Sequence, residues 1–167
     1  SFFWLILLSS PPSAEADPVE TDWNKQATFA EMDVEASVLL SNYLKIDTRN
    51  PPGNETAGAE FLAEVLASDG IESELVSFAP QRASLIAKLP GSGDEGALCL
   101  VSHIDVVATE DDAWKHPPFS GRIAEDAIWG RGAIDMKGTG AVQLQIFRTL
   151  HRLEVPLRRD VVLLALA

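Results

Sequence analysis

The apolar run Ala97-Leu98-Cys99-Leu100-Val101-Ser102 ends on His103-Ile104-Asp105. Thirty-two residues after His103, Asp135 sits in the glycine-rich stretch Gly130-Arg131-Gly132-Ala133-Ile134-Asp135-Met136-Lys137-Gly138. An apolar strand that ends on polar side chains, then a tight turn, a helical stripe and a second apolar run constrain the chain to an α/β sheet with its chemistry on sheet-edge loops. Alternate residues of a strand share a face, so His103 and Asp105 lie side by side while Ile104 turns away. One is then able to ligate while the other orients it, since a carboxylate on the free ring N–H of a ligating histidine fixes the tautomer. Imidazole and carboxylate donors at strand ends are the makings of a hydrolytic metal centre. Taken alone, each half has a plainer reading: a strand end with two solvated polar residues, and an Asp135 that caps the following helix.

The remaining elements follow from periodicity. Met32, Ala36, Leu39, Tyr43 and Ile46 recur at helical steps and predict a first helix over 31–46, stopped by Asn50-Pro51-Pro52-Gly53. Gly58, Phe61, Leu62, Val65 and Leu66 make a second stripe, with Gly70 as the residue just past its end. Segments 74–78 and 84–89 read as consecutive strands, so part of the sheet is antiparallel. A buried strand ends at His103, a long loop fills 106–121, and residues 122–129 form a hairpin that delivers Asp135. Val142, Ile146, Leu150 and Leu153 then describe a third helix, and 160–167 the final strand. The fold class this gives is α/β, a three-layer mixed sheet with flanking helices.

The linked pieces resemble one family. Ser102-His103-Ile104-Asp105, Trp114, Pro118-Phe119-Ser120-Gly121 and the 130–138 stretch resemble the co-catalytic zinc amidohydrolases and exopeptidases, among them aminoacylase, acetylornithine deacetylase, succinyl-diaminopimelate desuccinylase and carboxypeptidase G. The likeness extends more loosely upstream through residues 44–55 and covers roughly 30–167. It implies a zinc-exopeptidase-like catalytic domain in which His103 ligates one metal, Asp105 orients it, and Asp135 bridges two. It also implies a cis peptide between Asp135 and Met136, and two divalent ions, zinc first with cobalt or manganese as alternatives. The substrate implied is a small peptide or an N-acyl amino acid. In such a family the general base, a glutamate, follows the next strand, and a lid domain mediates homodimerisation. The strand at 160–167 is where this sequence stops, and it starts with Ser1 rather than Met. The expectation is therefore an N-terminal part of a longer protein, lacking its general base and with little turnover alone. The rival reading is a non-catalytic metal-binding or assembly module with the same fold.

The front of the chain carries a localisation signal. Phe2-Phe3-Trp4-Leu5-Ile6-Leu7-Leu8 is too short to span a bilayer but suits a signal-peptide core, and Ala14-Glu15-Ala16 supplies a small-x-small cleavage pattern. The expectation is a signal peptide over 1–16 that lacks its start, a linker over 17–30, the metallohydrolase domain over 31–167, and a secreted or periplasmic protein with no stable membrane anchor. Acidic residues outnumber basic ones 25 to 13, which disfavours nucleic acid and anionic membrane as partners and suits a collector of divalent cations. Cys99 is alone and lies in an apolar run, which reads as core. His116 reads as a surface-loop histidine ahead of a substrate contact, His151 as a solvated one, Arg131 as a holder of Asp135, a substrate contact or half of a surface ion pair, and Trp114 and Phe119 as pocket wall or loop anchors.

Overall fold

The structure, a computed structural model, describes residues 26–167. The signal-peptide reading of 1–16 lies outside the described residues. Helix α1 (Gln26–Leu44) leads into α2 (Glu55–Ala67), then β1 (Ser73–Ala79), β2 (Arg82–Leu89) and β3 (Glu95–His103). A short 3-10 turn (Asp111–Ala113) interrupts the loop that follows, and β4 (Arg122–Ala124) and β5 (Ala127–Trp129) form a hairpin. Helix α3 (Lys137–Arg152) and β6 (Arg159–Leu166) complete the order. Within the described residues helix α1 runs from Gln26, inside the stretch read as linker: periodicity marks where a helix buries a face, not where the helix begins.

The main sheet has the order β1-β2-β6-β3 and is mixed. β1 with β2 and β2 with β6 run antiparallel, whereas β3 runs parallel to β6. Pairs such as Leu85 with Ala165, Ala87 with Leu163 and Leu89 with Val161 put one set of alternate side chains on one face. That face is buried against Leu39 and Tyr43 of α1, Leu62 and Leu66 of α2, and Leu144 and Phe147 of α3, which form one core cluster. The mixed α/β sheet with flanking helices is thus present, and among the described residues the three helices all contribute to the same core.

The opposite face explains a correction. Cys99, read from the sequence as core, is exposed. It pairs with Val162 on the edge strand β3 and points away from the helices, in company with Val101 and Leu166, which also keep much of their surface in solvent. An apolar run tells that a strand is present; it does not tell which of its faces is covered.

Two joints need particular residues. Helix α2 ends with Gly70 at φ 75°, its N–H on the Ala67 carbonyl at 2.9 Å and the Ile71 N–H on the Leu66 carbonyl at 3.1 Å. This is the helix-terminating pattern that favours glycine, with Ile71 and Leu66 both buried beneath it. The β4–β5 turn instead places Glu125 and Asp126 at positive φ, 56° and 55°, the twist that two-residue hairpin loops require.

Helix α3 departs from expectation in its orientation. Of the stripe Val142, Ile146, Leu150 and Leu153, Leu150 packs against the core but the other three are about half exposed, and the buried face is Gly140, Ala141, Leu144, Gln145, Phe147 and Arg148. The sequence conceals this face because it is interrupted by polar side chains. Arg148 lies 2.6 Å from Asp69 at the end of α2, and Gln145 donates to Glu35 of α1 at 2.9 Å, so both are buried with partners.

Candidate functional site

The end of β3 is fixed by a parallel bridge between Arg49 and Val106. Val106 N–H donates to the Thr48 carbonyl at 3.0 Å, Asn50 N–H to the Val106 carbonyl at 2.9 Å, and the buried Thr48 hydroxyl to the Ile104 carbonyl at 2.8 Å. Segment 48–50 thereby behaves as a short extra strand that locks residues 104–106. His103 and Asp105 project from this locked end.

The His103 ring is held at both nitrogens. Nδ1 lies 2.9 Å from the Asp105 carbonyl oxygen and 3.2 Å from Asp105 Oδ1. Nε2 lies 3.1 Å from Asp135 Oδ1. With Nδ1–H donating to Asp105, Nε2 presents a lone pair to a carboxylate, and two acceptors face each other. Such a pair is satisfied by a proton or by a cation. Burial pushes the His103 pKa down, but the hydrogen bonds and charges of Asp135 and Asp105 outweigh it and hold the pKa above its ordinary value.

The donor set also fits a metal ion. Two donors sharing a tetrahedral zinc at about 2.0–2.2 Å each stand roughly 3.3–3.6 Å apart, a few tenths of an ångström more than the 3.1 Å between Nε2 and Oδ1. The Asp135 side chain is 87% exposed, so ions reach it from solvent. Asp105 has its second oxygen 3.4 Å from Asn50 Nδ2, which extends the orienting chain from Asn50 through Asp105 to His103. Among the described residues no group of three or more histidine, cysteine, aspartate or glutamate side chains is placed to hold one metal ion together. The structure thus brings together His103, Asp105 and Asp135, with two of them aimed at one point.

Asp135 is delivered by the turn after β5. Gly132 adopts φ 88°, and a Cβ there would stand 2.7 Å from Val106 Cγ1, so the turn rests directly on the locked end of β3. The Asp135–Met136 peptide is cis, as the family resemblance implied. Asp135 does not cap α3; Met136 occupies that position without a side-chain hydrogen bond. A cleft of about 420 Å³ opens beside the pair, walled by Val107, Trp114, Ile128, Trp129 and Ile134.

The other tempting residues find clear places. The Arg131 guanidinium lies 5.1 Å from the Trp114 ring centroid and donates to the Ala108 carbonyl at 3.4 Å, pinning the long loop rather than holding Asp135. Trp114 also lines the cleft, while Phe119 lies under Arg49 at 5.0 Å. His116 is not the surface histidine its loop suggested: its side chain is 14% exposed and meets Trp129 edge-on at 5.0 Å. His151 is exposed, with Nε2 3.2 Å from the Asp69 carbonyl oxygen. Two residues escaped the sequence reading. Asn50 looked like part of a helix stop, and Lys137 was quoted in the glycine-rich stretch without a role. The signal at Lys137 was there: a lysine at the first position of a helix opposes the macrodipole and calls for a reason.

Comparison with known proteins agrees with the family resemblance. Residues 99–167 match the model for Peptidase family M20/M25/M40. N-formyl-4-amino-5-aminomethyl-2-methylpyrimidine deformylase of Halalkalibacterium halodurans is 32% identical over 132 residues, covering 77% of this chain and 31% of that protein. Aminoacylase-1 of Sus scrofa is 34% identical over 119 residues, covering 70% of this chain and 28% of its own length. Among solved structures, the M20 family metallo-carboxypeptidase Sso-CP2 from Sulfolobus solfataricus superposes with a TM-score of 0.68 at 26% identity, over 79% of this chain and 30% of that one. The chain spans about a third of the length of the proteins it matches.

Proposed function

We propose that this chain, a relative of the M20/M25/M40 peptidases, contributes to a metal-dependent hydrolase that cleaves an amide bond of a peptide or an N-acyl amino acid. The observation that carries the reading is the 3.1 Å approach of His103 Nε2 to Asp135 Oδ1, with Asp105 on the other ring nitrogen, at the mouth of a cleft. In this reading His103 Nε2 and the Asp135 carboxylate hold divalent cations, zinc in first place. Bound cations supply Lewis acidity that makes water a nucleophile near neutral pH and offsets charge on a carbonyl oxygen.

The chain's own residues set up that chemistry. Asp105 keeps the proton on Nδ1 and so leaves Nε2 free to donate its lone pair. Asp135 brings two carboxylate oxygens, enough to serve two neighbouring ions. Trp114, Trp129, Ile128 and Val107 give the cleft an apolar wall suited to the acyl or side-chain part of a substrate and unfavourable to loose water. By the family resemblance, the proton transfer to the leaving amine is assigned to a glutamate general base and homodimerisation to a lid domain. Export by cleavage after Ala16 rests on the apolar run and the small residues at the front of the sequence.

The test is hydrolysis of N-acyl amino acids and dipeptides by the full-length protein, read as released amine. Chelation should abolish turnover and added Zn2+ restore it, and His103→Ala or Asp135→Ala should lower kcat/KM at least about 100-fold. Turnover indifferent to chelator and to both substitutions contradicts the reading. The alternative is a non-catalytic metal-binding or assembly module with the same fold. It predicts bound metal without turnover on any amide.

A further inference from the structure

We propose that Lys137 is a positioning residue for this site: its ammonium, anchored on the C-terminal carbonyls of α1, holds the turn that sets the Asp135 carboxylate against His103. The inference rests on reading His103 and Asp135 as cation ligands.

Lys137 is fully buried, although it is a lysine and the first residue of α3. Both features are unfavourable in themselves. A buried ammonium is costly unless it is paired, and a cation at a helix N-terminus is repelled by the aligned peptide dipoles. The side chain resolves both by leaving its own helix. Nζ donates to the Ile46 carbonyl at 2.8 Å and the Tyr43 carbonyl at 3.3 Å, and lies 4.6 Å from the Tyr43 ring centroid. These carbonyls lie at the end of α1, where helical partners run out and the dipole favours a cation.

The anchor bears on the site through the 130–137 turn. Lys137 N–H donates to the Gly132 carbonyl at 2.8 Å, and Ala133 N–H to the Gly130 carbonyl at 3.1 Å, so the turn is closed on itself. A Cβ on Gly132 would stand 3.5 Å from Cγ and Cδ of Lys137, which places the lysine stem directly beneath the turn. The Asp135 side chain, by contrast, is largely in solvent and meets the His103 ring. Its position is therefore set through the backbone, and the nearest buried anchor is two residues away. A neutral side chain at 137 would free the turn from α1 while leaving His103 and Asp135 in the sequence.

The test uses Co2+ as a spectroscopic probe of the full-length protein, with folding checked by far-ultraviolet circular dichroism. Lys137→Met should bind Co2+ about tenfold more weakly, the size of effect that residues supporting a metal ligand show, with a shifted visible absorption band. Lys137→Arg keeps the charge but must fit a planar fork where a compact ammonium sat. It should show intermediate affinity and an altered band, and it is the variant to read should the methionine prevent folding. A folded Met or Arg variant with wild-type affinity and spectrum overturns the role of Lys137. His103→Ala and Asp135→Ala separate the two ideas. If both leave Co2+ binding unchanged, the ligand reading itself falls; if both abolish it while the Lys137 variants bind normally, only the positioning role does.

Discussion

At His103 one ring meets two carboxylates, and each contact has its own consequence. The Asp135 contact, at 3.1 Å, marks where the proposed cation would sit, while Asp105, with its backbone carbonyl at 2.9 Å and its carboxylate at 3.2 Å from Nδ1, fixes which nitrogen faces it. Replacing Asp105 with alanine should therefore leave the fold intact and weaken zinc binding by about 10- to 100-fold, measured by competition with a chromophoric chelator. Unchanged affinity would mean that the Asp105 carboxylate does not orient the ring and that its backbone carbonyl, which the substitution leaves at Nδ1, suffices. The pairing of His103 with Asp105 was legible in the i, i+2 parity of a strand end, whereas the approach of Asp135 came from the family resemblance, since the glycines around it read equally as a turn into a helix cap. Asn50 and Lys137 were not, because what they touch is distant in sequence. Asn50 is 55 residues from Asp105. Lys137 is 91 residues from Ile46. No periodicity encodes either pairing.

The strands and helices were legible where an element buries a continuous stripe, as in α2 with Leu62 and Leu66. The face of α3 was not. Its most apolar stripe in sequence points partly to solvent, and the buried face carries Gln145 and Arg148, acceptable only because α1 and α2 supply their partners. The two faces predict opposite sensitivities. Leu144→Ala, at a fully buried position, should cost about 2–5 kcal/mol of unfolding free energy by urea denaturation, whereas Val142→Ala should stay within about 0.5 kcal/mol. The reverse order would restore the face read from the sequence.

The same helix carries an acid-sensitive tie. Burial raises the Asp69 pKa, but hydrogen bonds from Arg148 and Arg152 outweigh it and hold the carboxyl below its ordinary 3.8. The hydrogen bond from Gln145, against burial and with help from Arg152, holds Glu35 below 4.5. Both pKa values are depressed in the folded state, so the unfolded chain binds more protons in acid. Their stabilisation is complete above about pH 5 and is lost as the pH falls through the folded values. Asp69→Asn should lower the urea midpoint at pH 7 and shrink the further drop between pH 5 and pH 3. A wild-type acid profile in that variant would show that the tie contributes nothing.

Taken whole, the molecule places its chemistry where two parts of the chain converge: the locked end of β3, and a turn seated on it and on α1. One sheet face is filled by three helices, and the other leaves Val76, Val101 and Leu166 substantially exposed. Among the described residues no helix is long and apolar enough to cross a membrane. The class of the fold was legible because runs and stripes alternate along the chain. The sequence did not reveal that the helices share one face, since that depends on how strands distant in sequence pair, as Leu85 of β2 does with Ala165 of β6 and Lys88 with Val162. The central claim is that His103 and Asp135 share a cation. It is tested most directly by anomalous diffraction at the zinc edge from crystals grown with Zn2+. The account predicts a peak about 2.0–2.2 Å from both His103 Nε2 and an Asp135 oxygen. Zinc found only elsewhere, with the two side chains turned apart, would contradict it.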